Sequence, residues 1–162
     1  MDLPKRKPTR LKEFDYSTPS WYFLTICTQG NKSILSRIVG EGLAPPESRL
    51  TPLGRILEEE LLALPERYEN LVIDTYVIMP NHIHLLLGLL EPEAGGASPS
   101  PTIPDIVRVL KSMTTRRAKL GSGIFQRSYH DHIVRGEKDY KKIQEYIENN
   151  PGRWIDDRYF SQ

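Results

Sequence analysis

The chain has 162 residues, of which 27% are charged and 38% hydrophobic, and its formal net charge at neutral pH is +1. This length suits one domain with a substantial core, and the near-neutral balance neither requires nor excludes a nucleic-acid partner. Cys27 is the only cysteine, which excludes an internal disulfide and a cysteine-based zinc site. With no export signal and no apolar run of membrane length, we expect a cytoplasmic protein.

The N-terminus predicts a basic arm over residues 1–19, followed by one domain over residues 20–162. Five positive charges fall within eight residues, and Pro8 among them discourages regular structure. Such arms bind phosphate backbones, although a solvated tail is the alternative. The arm residues that we name as candidates for DNA contact are Lys5, Arg6, Lys7 and Arg10.

The first half of the domain predicts strands around one helix. Aromatic and β-branched residues at 21–28 predict a strand that ends in a turn at 29–31, and residues 33–39 predict a return strand. Glycines and prolines then predict a loop at 40–50. Thr51-Pro52 is a helix-start signal, and the 3.6-residue apolar spacing that follows predicts a helix over 52–64.

Two extended runs, 71–79 and 82–90, follow the first helix and are joined only by Pro80-Asn81. So short a connection makes them antiparallel neighbours. After a breaker-rich connection, residues 102–119, 124–135 and 137–150 predict a helix, a strand and a last helix. The element order predicts an α+β fold, a ferredoxin-like sandwich with a central antiparallel sheet and a C-terminal helix.

His82 and His84 open the second of these antiparallel strands. Alternation puts both side chains on one face about 7 Å apart, within reach of one metal ion. The pair alone is equally consistent with two histidines that are hydrogen-bonded in a polar layer and bind no metal. A third group that converges on them would favour the metal site.

The last helix supplies two candidates for that third group. Tyr146 and Asn150 lie four residues apart, about 40° around the helix, on one margin of its apolar face. A tyrosine hydroxyl can attack phosphorus, and an amide oxygen can bind a metal ion beside the histidines. Alternatively, Tyr146 lies at the edge of the core and Asn150 closes the helix.

Three runs carry a resemblance to a known family: residues 76–84 (YVIMPNHIH), 126–135 (QRSYHDHIVR) and 146–151 (YIENNP). Together and in this order they resemble the IS200-like superfamily of single-tyrosine transposases, and more narrowly its REP-associated branch. The resemblance covers residues 21–154. Insertion-sequence members often have glutamine where this chain has Asn150, and asparagine there is typical of the REP-associated branch.

The resemblance implies a metal-dependent His-hydrophobic-His enzyme that cuts and transfers single-stranded DNA at or near hairpins through a 5′-phosphotyrosine intermediate. It implies Tyr146 as the nucleophile, with His82, His84 and Asn150 as ligands of Mg²⁺ or Mn²⁺. It also implies a nucleoid-associated protein with no membrane partner. The chain could act as a monomer, or as a homodimer that exchanges the tyrosine helix.

Two alternative functions stay open. The chain could be a domesticated protein that binds hairpin DNA without turnover, or a nuclease that uses a metal-activated water.

Other residues could support the site or the DNA. Arg116, Arg117 and Lys119 crowd the end of the helix over 102–119, where they either complement the helix dipole or contact DNA. Arg127 is a further candidate for contact with a single DNA strand. Asp131 and His132 are candidates for supporting roles, and a second metal site built on His130 and His132 is the less favoured alternative.

Overall fold

The protein is described here by a computed structural model that covers residues 11, 13–40, 45–95, 100–121 and 123–160. Its strands are β1 (Ser20–Cys27), β2 (Ser36–Val39), β3 (Glu47–Leu50), β4 (Leu71–Ile78), β5 (His82–Leu89) and β6 (His130–Ile133). Its α-helices are α1 (Pro52–Leu62), α2 (Leu64–Arg67), α3 (Ile103–Ala118) and α4 (Gly136–Glu148). Short 3-10 turns lie at Gln29–Asn31 and Pro151–Asp156.

The main sheet has the strand order β4-β5-β1-β6, and each neighbouring pair is antiparallel. This order places β5 and β1 in the middle, as expected for a ferredoxin-like sandwich. The predicted α+β fold with a central antiparallel sheet is therefore confirmed. All eight residues of β5 are buried, so the strand that carries the histidines is covered on both faces.

Alternation along the two central strands separates a helix-packed core from a second, smaller layer. Tyr22, Leu24 and Ile26 of β1 pack with Ile83 and their neighbours against α1 and α3. On the other face, Leu86 of β5 packs with Ile143 and Ile147 of α4. His82 and His84 share the face of Leu86, so α4 is the helix that covers them.

The predicted helix starts are confirmed by their caps. The Thr51 hydroxyl accepts a hydrogen bond from the Gly54 amide at 3.1 Å, and the Thr102 hydroxyl accepts one from the Asp105 amide at 3.2 Å. Each threonine precedes a proline within the first two helical positions, where the missing N–H has no helical partner to lose.

The region after β1 differs from the prediction. The return strand pairs with Glu47–Leu50, inside the predicted loop, and the two form a separate sheet. Residues of β3 alternate between exposed and half-buried and include only one large apolar side chain, Leu50. A strand this short and polar has no hydrophobic pattern by which the sequence could predict it. Its pairing with β2 and the hydrogen bond from the Ser48 hydroxyl to the Ile78 carbonyl stabilise it in the structure.

The predicted strand at 124–135 is also shorter in the structure. Phe125 forms an isolated bridge with Thr28, the residue after β1, and β6 pairs with β1 itself. Between them, the Lys111 ammonium group donates to the carbonyls of Gln126, Arg127 and Ser128 at 2.8, 3.3 and 3.4 Å. A side chain of α3 therefore satisfies carbonyls that a continuous ladder would have used.

The arm residues Lys5, Arg6, Lys7 and Arg10 lie outside the described residues, so the arm and the boundary at residue 20 stay predictions. Phe14 and Tyr16, just before β1, pack against the main core. Among the described residues no helix is long and apolar enough to cross a membrane.

Substitution of Gly54 tests whether α1 lies as close to the segment before β2 as the structure shows. A Cβ added there would collide with the Leu35 carbonyl, which is backbone and cannot swing away. We expect Gly54→Ala to lower the free energy of unfolding by about 1–3 kcal/mol, measured by denaturant titration. Gly152→Ala is the matched control, since a Cβ there meets nothing within 4 Å. Equal stability of the two variants would contradict this packing.

Candidate metal centre and tyrosine site

The sheet places the two histidines side by side at one end. In the register of β1 and β5, Cys27 lies opposite His82 and Thr25 opposite His84. His82 is fully buried and His84 is 1% exposed. Their Nε2 atoms are only 3.1 Å apart, so the rings converge more closely than their backbone spacing suggests.

A hydrogen-bonded chain fixes the orientation of both rings. His82 Nδ1 donates to Asn81 Oδ1 at 2.8 Å, and His84 Nδ1 bonds to the Thr25 hydroxyl at 2.8 Å. The Asn81 amide is oriented unambiguously, because its nitrogen donates to the carbonyls of Asn31 and Tyr159. His82 Nε2 therefore carries a lone pair that faces His84.

Thr25 allows the pair to exist in two states. When its hydroxyl donates to His84 Nδ1, a proton on His84 Nε2 can bridge to His82 Nε2. When the hydroxyl accepts instead, both Nε2 atoms are free to bind a cation. A hydroxyl can do either, whereas Asn81 Oδ1 can only accept.

Burial keeps both histidines neutral, which is the form that binds metals. It lowers the pKa of His82 to about 4, partly offset by the negative charge of Asp157 and the side chain of Asn150. Burial and the neighbouring His82 lower the pKa of His84 well below its usual value. A second ring nitrogen held by a hydrogen bond is the usual arrangement of a metal-binding histidine.

Asn150 comes next to the histidines from beyond the end of α4. It is 2% exposed, and its Oδ1 is buried with no hydrogen-bond partner within the described part of the chain. An acceptor left unpaired in a buried site costs about 1–3 kcal/mol. Its side chain raises the pKa of His82 and lowers that of Tyr146, so it lies close to both.

These atoms fit a divalent cation. Two ligands of an octahedral or tetrahedral ion with bonds of about 2.1 Å lie about 3.0–3.4 Å apart, which matches the separation of the two Nε2 atoms. A cation would also satisfy the unpaired Oδ1 of Asn150. The structure thus brings together all three predicted ligands.

Tyr146 lies at the mouth of this cluster. Its hydroxyl is 3.4 Å from His84 Nε2, its ring packs edge-on against Phe23, and 38% of the residue is exposed. Burial raises the pKa of Tyr146 and the charge of Asp157 adds to this rise, whereas Asn150 and Arg158 act in the opposite direction.

Asp157 is a candidate ligand that the sequence reasoning missed. Ligand atoms of His82, His84 and Asp157 all lie within 4.8 Å of one another. Asp157 follows the last 3-10 turn, in a segment with no periodic pattern, and an acidic residue in such a segment is usually solvated. Its only signal is nearness in sequence to Asn150.

The segment 151–160 also covers the histidines. The Tyr159 ring lies 4.6 Å from the His82 ring, and the Tyr159 carbonyl accepts a hydrogen bond from Asn81 at 2.6 Å. Trp154 lies 6.1 Å from His82 and packs on Phe160. This covering segment is the reason why neither histidine is exposed.

The basic residues predicted to contact DNA do not all lie on one surface. Arg116, Lys119 and Arg127 line one groove between α3 and residues 121–129. Arg117 instead forms ion pairs with Glu59 and Glu60 of α1, at 2.6 and 2.9 Å. Those contacts hold α3 on α1, so the structure assigns Arg117 a role in packing.

The residues of the second predicted constellation lie on β6, next to β1. His132 pairs with Asp139 of α4 at 2.7 Å, which connects that strand to the helix that carries Tyr146. Asp131 lies on the opposite face of the strand, beside Leu24. Across the described ranges, the only cluster of three or more His, Cys, Asp or Glu side chains close enough to share an ion is His82, His84 and Asp157.

The chain is similar to a curated protein in sequence and, among other solved structures, to two in fold. An uncharacterized protein of Haemophilus influenzae is 33% identical over 96% of this chain and 93% of its own length. A REP-associated tyrosine transposase, solved bound to a REP hairpin, superposes with a TM-score of 0.62 at 20% identity, over 89% of this chain and 73% of its own. A Deinococcus radiodurans protein provisionally assigned as a transposase gives 25% identity and a TM-score of 0.48, over 86% of this chain and 97% of its own. No family model matches the chain.

Removal of the Thr25 hydroxyl tests whether that group orients His84 for cation binding. We expect Thr25→Val to weaken Mn²⁺ binding about 10- to 100-fold in titration calorimetry, because His84 Nδ1 loses its partner while the side-chain shape is kept. Thr75→Val is the control, since Thr75 lies on β4 opposite Leu86. Unchanged affinity of Thr25→Val would contradict the assignment.

Proposed function

This chain belongs to the family of the Haemophilus influenzae protein and has the fold of the IS200-like single-tyrosine transposases, and on that basis we propose that it cuts and transfers single-stranded DNA at or near hairpins. The proposed enzyme is metal-dependent, and its nucleophile is Tyr146. The REP hairpin bound to the structural relative supports hairpin DNA as the substrate class.

One observation carries this proposal. A tyrosine hydroxyl lies 3.4 Å from one of two neutral histidines whose free nitrogens face each other, and an unpaired buried amide oxygen lies beside them. Most buried polar groups in folded proteins are paired, so an unpaired amide oxygen beside two opposed ring nitrogens favours a ligand at this position. A nucleophile beside a set of metal ligands is what phosphoryl transfer to tyrosine requires.

The ion would be held by His82, His84 and Asn150, with the carboxylate of Asp157 within reach of the same position. When bound, it supplies a positive charge that polarises the scissile phosphate and stabilises the leaving oxygen. Nitrogen and oxygen ligands with room for water favour Mg²⁺ or Mn²⁺.

The chain's own residues then perform the cut. The Tyr146 oxygen forms a bond to phosphorus, the bond from phosphorus to the 3′ oxygen breaks, and that oxygen gains a proton to become a 3′ hydroxyl. The phenol proton leaves to solvent, which reaches the half-exposed side chain. Burial and the negative charge of Asp157 raise the pKa of Tyr146, and the Asn150 side chain and the positive charges of Arg158 and Arg153 partly offset that rise.

Rejoining reverses these bonds. A 3′ hydroxyl attacks the phosphotyrosine, and Tyr146 leaves with a proton from solvent. Because Tyr146 meets His84 within one polypeptide, we propose that a single chain assembles the whole site.

A second candidate function, hairpin binding without turnover, is favoured by one observation. Tyr159 covers His82, and neither histidine is accessible to a phosphate in this arrangement. Cutting therefore requires the segment 151–160 to move. A metal-activated-water nuclease has less support, because the tyrosine hydroxyl already occupies the position next to His84.

Replacing the proposed nucleophile tests the covalent step. We expect Tyr146→Phe to abolish the protein–DNA adduct that the wild-type chain forms with hairpin substrates carrying single-stranded flanks, detected by denaturing electrophoresis in Mn²⁺. Tyr140→Phe is the matched control: it lies on the same helix but packs on Trp21, away from the histidines, and should form the adduct normally.

Chelation should abolish the adduct in both the wild type and the Tyr140→Phe variant. An adduct that persisted in Tyr146→Phe would exclude this tyrosine as the nucleophile. Cleavage that persisted without an adduct would favour the activated-water alternative.

The Tyr159 ring tests whether the covering segment limits cutting. We expect Tyr159→Ala to raise the initial cleavage rate several-fold, because His82 loses the ring that lies 4.6 Å away. Phe160→Ala is the control, since Phe160 packs on Trp154 in the same segment. Equal rates for the two variants would mean that Tyr159 does not restrict access, and binding without cutting in every variant would favour the second candidate function.

A further inference from the structure

A groove of about 840 Å³ lies outside the metal centre, between α3 and residues 121–129. Its rim carries Arg116, Lys119 and Arg127, and its floor includes Ile124 and Phe125. The lining residues include no aspartate or glutamate.

The cations on the rim are available to a ligand. Arg116, Lys119 and Arg127 are exposed and form no ion pair within the part of the chain that the structure describes. Arg117, one position along the same helix, is by contrast held by two glutamates. Exposed cations of α3 and of the facing segment that line one groove favour a polyanion, and the proposed substrate is one.

The floor of the groove is apolar and partly bare backbone. Gly121 and Gly123 have positive φ angles of 74° and 91°, which favour glycine, and neither position adds a side chain to the groove. Val107 and Phe125 offer apolar surface beside them. A duplex presents phosphates and base edges, whereas an unpaired nucleotide also presents flat base faces, so this floor favours a single strand.

Hydrogen bonds join the groove to the metal centre at the same end of the sheet. The Gln126 amide donates to the Cys27 carbonyl at 2.9 Å, and its side chain donates to Asn31 Oδ1 at 3.0 Å. The Asn31 carbonyl accepts from Asn81, whose Oδ1 holds His82. The groove and the metal centre therefore lie at the same end of the sheet.

We propose that this groove binds unpaired nucleotides of the strand that is cut, with phosphates on Arg116, Lys119 and Arg127 and a base over Phe125. Its volume is that of a small-molecule pocket, enough for roughly one or two nucleotides. The inference rests on the proposed function for its choice of DNA, but it concerns a surface apart from Tyr146 and the histidines.

The test compares two ligands on two variants. The ligands are a blunt DNA hairpin and the same hairpin with single-stranded flanks, and the binding constants are measured by fluorescence anisotropy in EDTA so that no cutting occurs. The variants are the double substitution Arg116→Gln/Arg127→Gln and, as control, Arg49→Gln, which removes an exposed arginine paired with Glu47 on β3.

We expect the double variant to bind the flanked hairpin about 10- to 30-fold more weakly at about 0.1 M salt and the blunt hairpin as well as the wild type does. The log–log dependence of affinity on salt should become shallower by about 0.7 for each phosphate that no longer meets a cation. The control should change neither. If the double variant bound both hairpins equally more weakly, the stem and not the flank would occupy the groove. If it bound both hairpins as the wild type does, no DNA would occupy the groove. Each result overturns the inference.

The same measurements separate this inference from the proposed function. Flank-dependent binding that needs the groove, together with no adduct on Tyr146 in metal, would overturn the proposed function alone. An adduct on Tyr146 together with an unaltered preference for flanks in the double variant would overturn the groove alone.

Discussion

The site depends on two imidazole nitrogens held 3.1 Å apart inside the protein. Burial keeps both rings neutral, Asn81 and Thr25 fix their orientation, and the pairing of β5 with β1 supplies that threonine. Two lone pairs at this distance repel unless a proton or a cation lies between them. The sheet therefore builds a position that favours positive charge, although it contributes no carboxylate of its own.

The parts that complete this position come from the end of the chain. α4 packs on the face of the sheet that carries the histidines and brings Tyr146 to the mouth of the cluster, while the turn after it brings Asn150 inside. The segment that follows adds Asp157 and covers the rings with Tyr159. The nucleophile, the cover and the candidate ligands Asn150 and Asp157 thus come from residues 146–159, so a movement of this stretch would alter access and the ligand set together.

Local patterns in the sequence were enough to predict the strand that carries the histidines, its antiparallel neighbour, and the caps of α1 and α3. Each of these follows from alternation, helical spacing or capping, which neighbouring residues determine. Other features depend on contacts between residues distant in sequence. β3 has no hydrophobic pattern and exists through its pairing with β2, and Lys111 of α3 replaces the ladder that residues 126–128 would have formed. Asp157 and Tyr159 reach the histidines only because the chain turns back after Asn150, and no local signal predicts that turn. The pairing of Arg117 with two glutamates of α1 is likewise a property of helix packing.

Anomalous diffraction from crystals soaked in Mn²⁺ tests the central claim most directly, because it locates the ion without reference to DNA or activity. The account predicts a single strong peak about 2 Å from His82 Nε2, His84 Nε2 and Asn150 Oδ1, with the Thr25 hydroxyl accepting from His84 Nδ1. Histidines that remain in direct contact with no ion between them, or an ion held by other residues, would contradict it.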